Sequence, residues 1–122
     1  MTVINEAFAR QFASAWIQAW NTRNLDEVLA HYEDDFVFQS PLITVVTGAA
    51  SGRLQGKSAV RAYWSKALAG LPDLHFELVD ILLGDKCLTL YYRGHRGLVA
   101  EIFFFGDEGK VTQAAATYSL AA

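Results

Sequence analysis

The chain has 122 residues, of which 52% are hydrophobic and 19% charged, and a formal net charge of −3. That length holds one domain with a real core and not two, so residues 1–122 read as a single domain, and the composition excludes a disordered chain. There is no Lys/Arg cluster and no apolar run near the roughly 20 residues of a bilayer span, so neither nucleic acid nor a membrane is an expected partner.

Taken in chain order, Asn5 can cap a first helix in which Phe8, Phe12, Trp16 and Trp20 recur at helical spacing. Asn21 to Asn24 interrupts that period. Asp26 and Glu27 then open a second helix, where the macrodipole favours acids, and Leu25, Val28, Leu29 and Tyr32 share its apolar side. His31 falls opposite them and reads as a solvated residue. Asp34-Asp35 ends this helix, and Phe36, Phe38 and Ser40 alternate with Val37 and Gln39 in a half-buried strand that Pro41 stops. Within 41–55, LITVV has β-branched character and TGAASG is loop chemistry, consistent with a short extra strand and a mobile tip. A third helix runs from Lys57 to Ala69, with Ser58 as its cap and Val60, Tyr63, Trp64, Ala67 and Leu68 on one face. Gly70 closes it.

From there the period becomes strand-like. Leu74–Leu83, Lys86–His95, Leu98–Phe105 and Lys110–Ser119 read as four strands joined by glycine-bearing hairpin turns, an antiparallel meander. Helices followed by a meander predict an α+β fold with helices on one face of a curved sheet. A two-residue turn between Gly94 and Gly97 places Leu88, Leu90 and Tyr92 on one face with Val99, Glu101, Phe103 and Phe105. A turn at Gly84-Asp85 adds His75, Glu77, Val79 and Ile81, and a four-residue loop at Gly106 adds Thr112, Ala114, Ala116 and Tyr118. Tyr91, Arg93, His95, Ala100, Ile102 and Phe104 occupy the other face. Helices can cover only one of these faces, so the outer one is a candidate homodimer contact.

The inner face combines bulky walls with small residues at Ala114 and Ala116, a pattern that leaves space. Glu101 stands among Val99, Phe103 and Phe105, where an unpaired carboxylate is costly and must pair or stay protonated. A polar anchor in an apolar pocket is the functional reading.

The run WNTRNLDEVLAHYEDDFVFQSP, the later QGKSAVRAYW and the segment FGDEGKV resemble the nuclear transport factor 2-like superfamily, in particular its ketosteroid isomerase and SnoaL-like polyketide cyclase branches. The resemblance spans nearly the whole chain. It implies a cone-shaped, cystatin-like α+β barrel: three helices packed on a strongly curved antiparallel sheet, a pocket in the cone, and a dimer through the sheet's outer face. In ketosteroid isomerases a tyrosine on the first helix donates to the substrate oxyanion, and Trp16 stands there. The general base is an aspartate before the proline after the first strand, and Ser40 stands there. The second donor is a carboxylic acid, and Glu101 matches it. Glu101 or Glu77 could replace the SnoaL-like cyclases' aspartate. His75 with Glu77 is a weak counterpart of the His-Asp pair of dehydratases of this fold. The Asp-Arg-Asp arrangement of limonene epoxide hydrolase has only Arg93, which a two-residue turn faces outward and a three-residue turn would face inward.

His31, His75 and His95 are scattered and Cys87 stands alone, so no metal-ligand spacing is met, and there is no glycine-rich phosphate loop. No cofactor is expected. The lone cysteine and the lack of a signal-peptide pattern in MTVINEAFARQF fit the cytoplasm. The expected function is a small-molecule pocket protein, possible as an acid–base isomerase, cyclase or hydrolase on an apolar substrate. The alternative is a non-catalytic binder or a dimeric interaction module. The candidate catalytic residues are Glu101, Ser40 and His75. The candidate lining is Trp16, Trp20, Tyr32, Phe36 and Phe38 with Tyr63 and Trp64, together with Leu90, Tyr92, Val99, Phe103, Ala114, Ala116 and Tyr118.

Overall fold

A computed structural model describes residues 1–121. Asn5 caps α1 (Glu6–Asn21), its Oδ1 accepting the Phe8 N–H at 3.0 Å, which satisfies one of the free amides of a helix start. Phe12, Trp16, Ala19 and Trp20 form the buried stripe of this helix. At the corner that follows, Arg23 takes a positive φ of 60°. Its guanidinium donates to the carbonyl oxygens of Leu68 at 2.6 Å and Leu71 at 2.9 Å, which ties the corner to a segment distant in sequence.

Asn24 then caps α2 (Leu25–Leu29) through the Glu27 N–H at 3.1 Å. This helix is shorter than its apolar pattern predicts. Tyr32 is the first residue of β1 (Tyr32–Gln39), not part of the helix, and Asp34 and Asp35 lie within that strand. His31 is not fully solvated: its ring packs edge-on to Phe12 with centroids 5.2 Å apart. Burial lowers its pKa from 6.5, partly offset by Glu27.

The segment after β1 departs most from expectation. LITVV forms α3 (Leu42–Thr47) and not a strand. Local chemistry overrides its β-branched preference. Pro41 leads in with φ −63° and ψ −22°, already helical. The Ser40 hydroxyl accepts the Leu42 N–H at 3.1 Å, and Ile43 is completely buried. Gly48 ends the turn in the left-handed region at φ 75°. The extra strand lies further on as β2 (Arg53–Gln55), antiparallel to β1. Gly52 makes this approach possible, since a Cβ there would stand 2.8 Å from the Ser40 carbonyl oxygen.

α4 (Lys57–Ala69) has the predicted bounds, but its N-terminal cap is Gly56, with no side-chain bond, so Ser58 sits inside the first turn. Val60, Tyr63, Trp64 and Leu68 bury its inner face. The meander then runs through β3 (Glu77–Leu83), β4 (Cys87–Gly94), β5 (Gly97–Phe105) and β6 (Val111–Tyr118). The sheet order is β2-β1-β6-β5-β4-β3. β1 pairs parallel to β6, so the sheet is mixed where the meander alone suggested an antiparallel one. α1 packs on β3, and α4 packs on β1 and β2. Among the described residues the result is four helices on a six-stranded sheet, the predicted α+β class.

Candidate active site

The hairpin at the mouth of the sheet sets the register. Gly94 pairs with Gly97, so His95 and Arg96 form a two-residue turn, with Gly97 at φ 101°. Leu88, Leu90 and Tyr92 therefore stand opposite Phe103, Glu101 and Val99, and these stand opposite Ala114, Ala116 and Tyr118 on β6. Arg93 is exposed on the outer side.

Bulges overturn the register at two places. Between Phe104 and Phe105 the pairing shifts, Thr112 drops out of the ladder, and Val111 takes the buried position. In β3, Ile81 opposite Leu90 keeps the expected parity, but a shift between Leu78 and Asp80 reverses everything before it. Glu77 consequently pairs with the outward Arg93, and His75, Glu77 and Val79 are all exposed. His75 is thus a correction: it is exposed on the surface and is not among the residues that border the inner cavity. Phe76 takes the inward place. The Asn21 amide holds it by two bonds, accepting the Phe76 N–H at 2.7 Å and donating to the Phe76 carbonyl at 2.9 Å. Phe76 stacks on Trp16 at 5.8 Å and packs on Tyr92 at 4.6 Å.

These elements enclose a cavity of about 100 Å³. Of the predicted lining, Trp16, Trp20, Phe38, Tyr63, Trp64, Tyr92, Val99 and Tyr118 border it together with Glu101. Tyr32, Phe36, Leu90, Phe103, Ala114 and Ala116 do not: they are buried in the core behind it. Ala114 stands between Phe38 and Phe103 in the sheet, so the small residues accommodate neighbouring rings and leave no open floor. Sequence reasoning missed Leu42, Leu71, Leu74, Phe76, His95 and Arg96. Leu42 was hidden by the strand reading of α3, and Phe76 by a bulge that alternation cannot register.

Glu101 is 4% exposed and its Oε1 accepts the Tyr92 hydroxyl at 2.7 Å. Among the described residues no basic side chain pairs with it. Burial therefore dominates and raises its pKa from 4.5 to about 7, while the Tyr92 bond pulls the other way. Tyr32, Tyr63, Tyr92 and Tyr118 all lie within reach of this charge, and burial first and Glu101 second or later hold their phenols protonated. Trp16 donates its Nε1–H to Tyr32 at 2.9 Å. Trp20 Nε1, on the cavity wall, is buried with no hydrogen-bond partner.

Ser40 is 3% exposed but does not border the cavity. Its hydroxyl holds the start of α3 and also neighbours the phenols of Tyr63 and Tyr118, offsetting part of their upward shift. A hydroxyl so engaged, with no base beside it, cannot serve as a proton acceptor at neutral pH. The arrangement thus offers one titratable acid near neutrality, neutral phenol donors and apolar rings. Among the described residues no three His, Cys, Asp or Glu side chains gather as a metal cluster would.

The SnoaL-like domain family matches residues 13–120. A SnoaL-like protein of unknown function from Burkholderia thailandensis is 46% identical, with a TM-score of 0.91 over 97% of this chain and 99% of that one. AclR, a proposed hydroxylase from Streptomyces galilaeus, is 19% identical with a TM-score of 0.72 over 96% of this chain and 82% of that one. A proposed ketosteroid isomerase from Kribbella flavida is 17% identical with a TM-score of 0.69 over 95% and 81%. At such identities the last two share the fold alone. No curated protein matches the sequence.

Proposed function

The chain belongs to the SnoaL-like domain family, within the nuclear transport factor 2-like superfamily, and on that premise we propose that it is a cofactor-independent acid–base enzyme acting on a small apolar carbonyl compound, with Glu101 moving the proton. The supporting observation is the Glu101 carboxyl: buried, free of any cation, on the cavity wall, with a pKa near 7. A general base works best when its pKa lies near the working pH. In its ionised form Glu101 takes a proton from the carbon beside the carbonyl. The C–H electron pair becomes the enolate's new C=C bond, and the carbonyl oxygen takes up the negative charge. The protonated acid then returns a proton to the same or a conjugated carbon. Tyr63 and Tyr118, kept neutral by burial, are donors suited to the enolate oxygen, and the unpaired Trp20 N–H lies on the same wall. The cavity volume of about 100 Å³ is below the roughly 300–1,000 Å³ of sites for drug-sized ligands, which favours a single ring over a steroid.

Proton exchange tests this reading without knowledge of the natural substrate. Small enolisable cyclic ketones in D2O should exchange their α-protons, followed by NMR, with a rate about 10²-fold or more above that with Glu101→Gln. Equal exchange by wild type and Glu101→Gln would reject Glu101 as the base. Binding with no exchange by either would favour the non-catalytic binder, for which the committed Ser40 hydroxyl already speaks. We also propose a homodimer through the outer sheet face and a cytoplasmic location.

A further inference from the structure

Three basic side chains gather at the mouth of the cavity without acidic partners. A groove of about 280 Å³ lies between α3, the end of α4 and the His95-Arg96 turn. It shares Leu42, Tyr63, Leu71, His95 and Arg96 with the inner cavity, so the two adjoin. Its apolar walls are Val45, Val46 and Leu71, and its polar side chains besides the Tyr63 phenol are Lys66, His95 and Arg96. No acidic residue borders the groove, and Glu101 is the only acid bordering the inner cavity.

The chain has 13 acidic and 10 basic residues. Elsewhere Arg10 pairs with Glu6, Lys57 with Asp34 and Arg61 with Asp26, and Arg23 donates to two backbone carbonyls, while Arg53, Lys86, Arg93 and Lys110 make no ion pair among the described residues and border neither cavity nor groove. Lys66 and Arg96, among the described residues, make no ion pair, and Arg96 lies close enough to Tyr63 and Tyr118 to act on both phenols. A net negative molecule that gathers three basic side chains, with no acid among them, around an apolar funnel is complementary to a ligand with an apolar body and an anionic end.

Building on the acid–base reading of the inner cavity, we propose that the ligand is a small cyclic compound bearing a carboxylate, its ring in the cavity beside Glu101 and its carboxylate at the mouth between Lys66 and Arg96. Arg96 provides the planar fork that a carboxylate can engage through two bonds. Lys66, across the groove, adds a point charge. The inner end of such a ligand is neutral, so it does not oppose an ionised Glu101, while the outer charge sets its orientation.

A matched pair of probes tests this: 4-phenylbutanoate, and 4-phenylbutan-1-ol as its neutral counterpart, titrated calorimetrically against the full chain. The acid should bind about fivefold or more tightly than the alcohol, in line with two partly exposed charge contacts, and the preference should shrink at high ionic strength. Lys66→Gln with Arg96→Gln should bring the two affinities to within about twofold of each other. Both positions are exposed, so folding is not at stake, and an unchanged circular dichroism spectrum would check it. Equal affinities in the wild type, or a preference that survives the double substitution, would overturn the anionic mouth and leave the apolar cavity standing. Binding of neither probe would overturn both.

Discussion

Glu101 is paid for in stability. The folded state holds its proton up to about pH 7, whereas the unfolded chain releases it near 4.5. Below that lower value both states are protonated and no cost arises. Between the two values the folded state is progressively disfavoured, and above about 7 the full difference, about 3 kcal/mol, is in place. Glu101→Gln keeps a partner for Tyr92 and removes the titration. It should therefore match the wild type in denaturant unfolding at pH 4.5 and exceed it by about 3 kcal/mol at pH 8. A constant difference across that range would mean that Glu101 titrates normally. His31 works in the opposite sense. Its lowered pKa gives a contribution present above 6.5 that is lost as pH falls through the folded value.

At the scale of elements, the outer face of β4 and β5 carries Tyr91, Ile102 and Phe104, the last 44% exposed, and the edge strand β3 exposes Val79, Leu82 and Leu83. An apolar face beside a bare edge strand is a liability unless something covers it. A second copy of the chain is the proposed cover. Light scattering at micromolar concentration should give twice the chain mass, and Phe104→Lys should return it to the monomer, because a lysine there would be left unpaired in an apolar contact. A monomeric wild type would reject the dimer. How far these elements could be read in advance depended on local rules. The β4–β5 hairpin was legible because Gly94 and Gly97 fix a two-residue turn and parity does the rest. Glu101 was legible because an acid among Val99, Phe103 and Phe105 stands out. The β3 bulge was not, since one extra residue at Leu78–Asp80 leaves no mark in composition yet turns His75 out and Phe76 in. The helix at Leu42–Thr47 was not either, because its β-branched residues are held helical by Pro41, the Ser40 hydroxyl and the burial of Ile43.

At the scale of the whole molecule, the sheet and helices bring aromatic rings from α1, β1, α4 and the approach to β3 around one carboxyl group on β5. Trp16 contacts Trp20, Phe76, Tyr92 and Phe103 with centroids between 5.4 and 6.0 Å apart, so the wall is a linked set of rings. Such a wall buries the carboxyl, and that desolvation is what raises its pKa. The proposed chemistry depends on that one property of Glu101. Carboxyl 13C NMR of the protein labelled at glutamate, with Glu101→Gln to assign the signal, measures it directly. A Glu101 resonance that titrates with a midpoint near pH 7 is the predicted result. A midpoint near 4.5, the value of an ordinary solvated glutamate, would contradict the acid–base role assigned to this site.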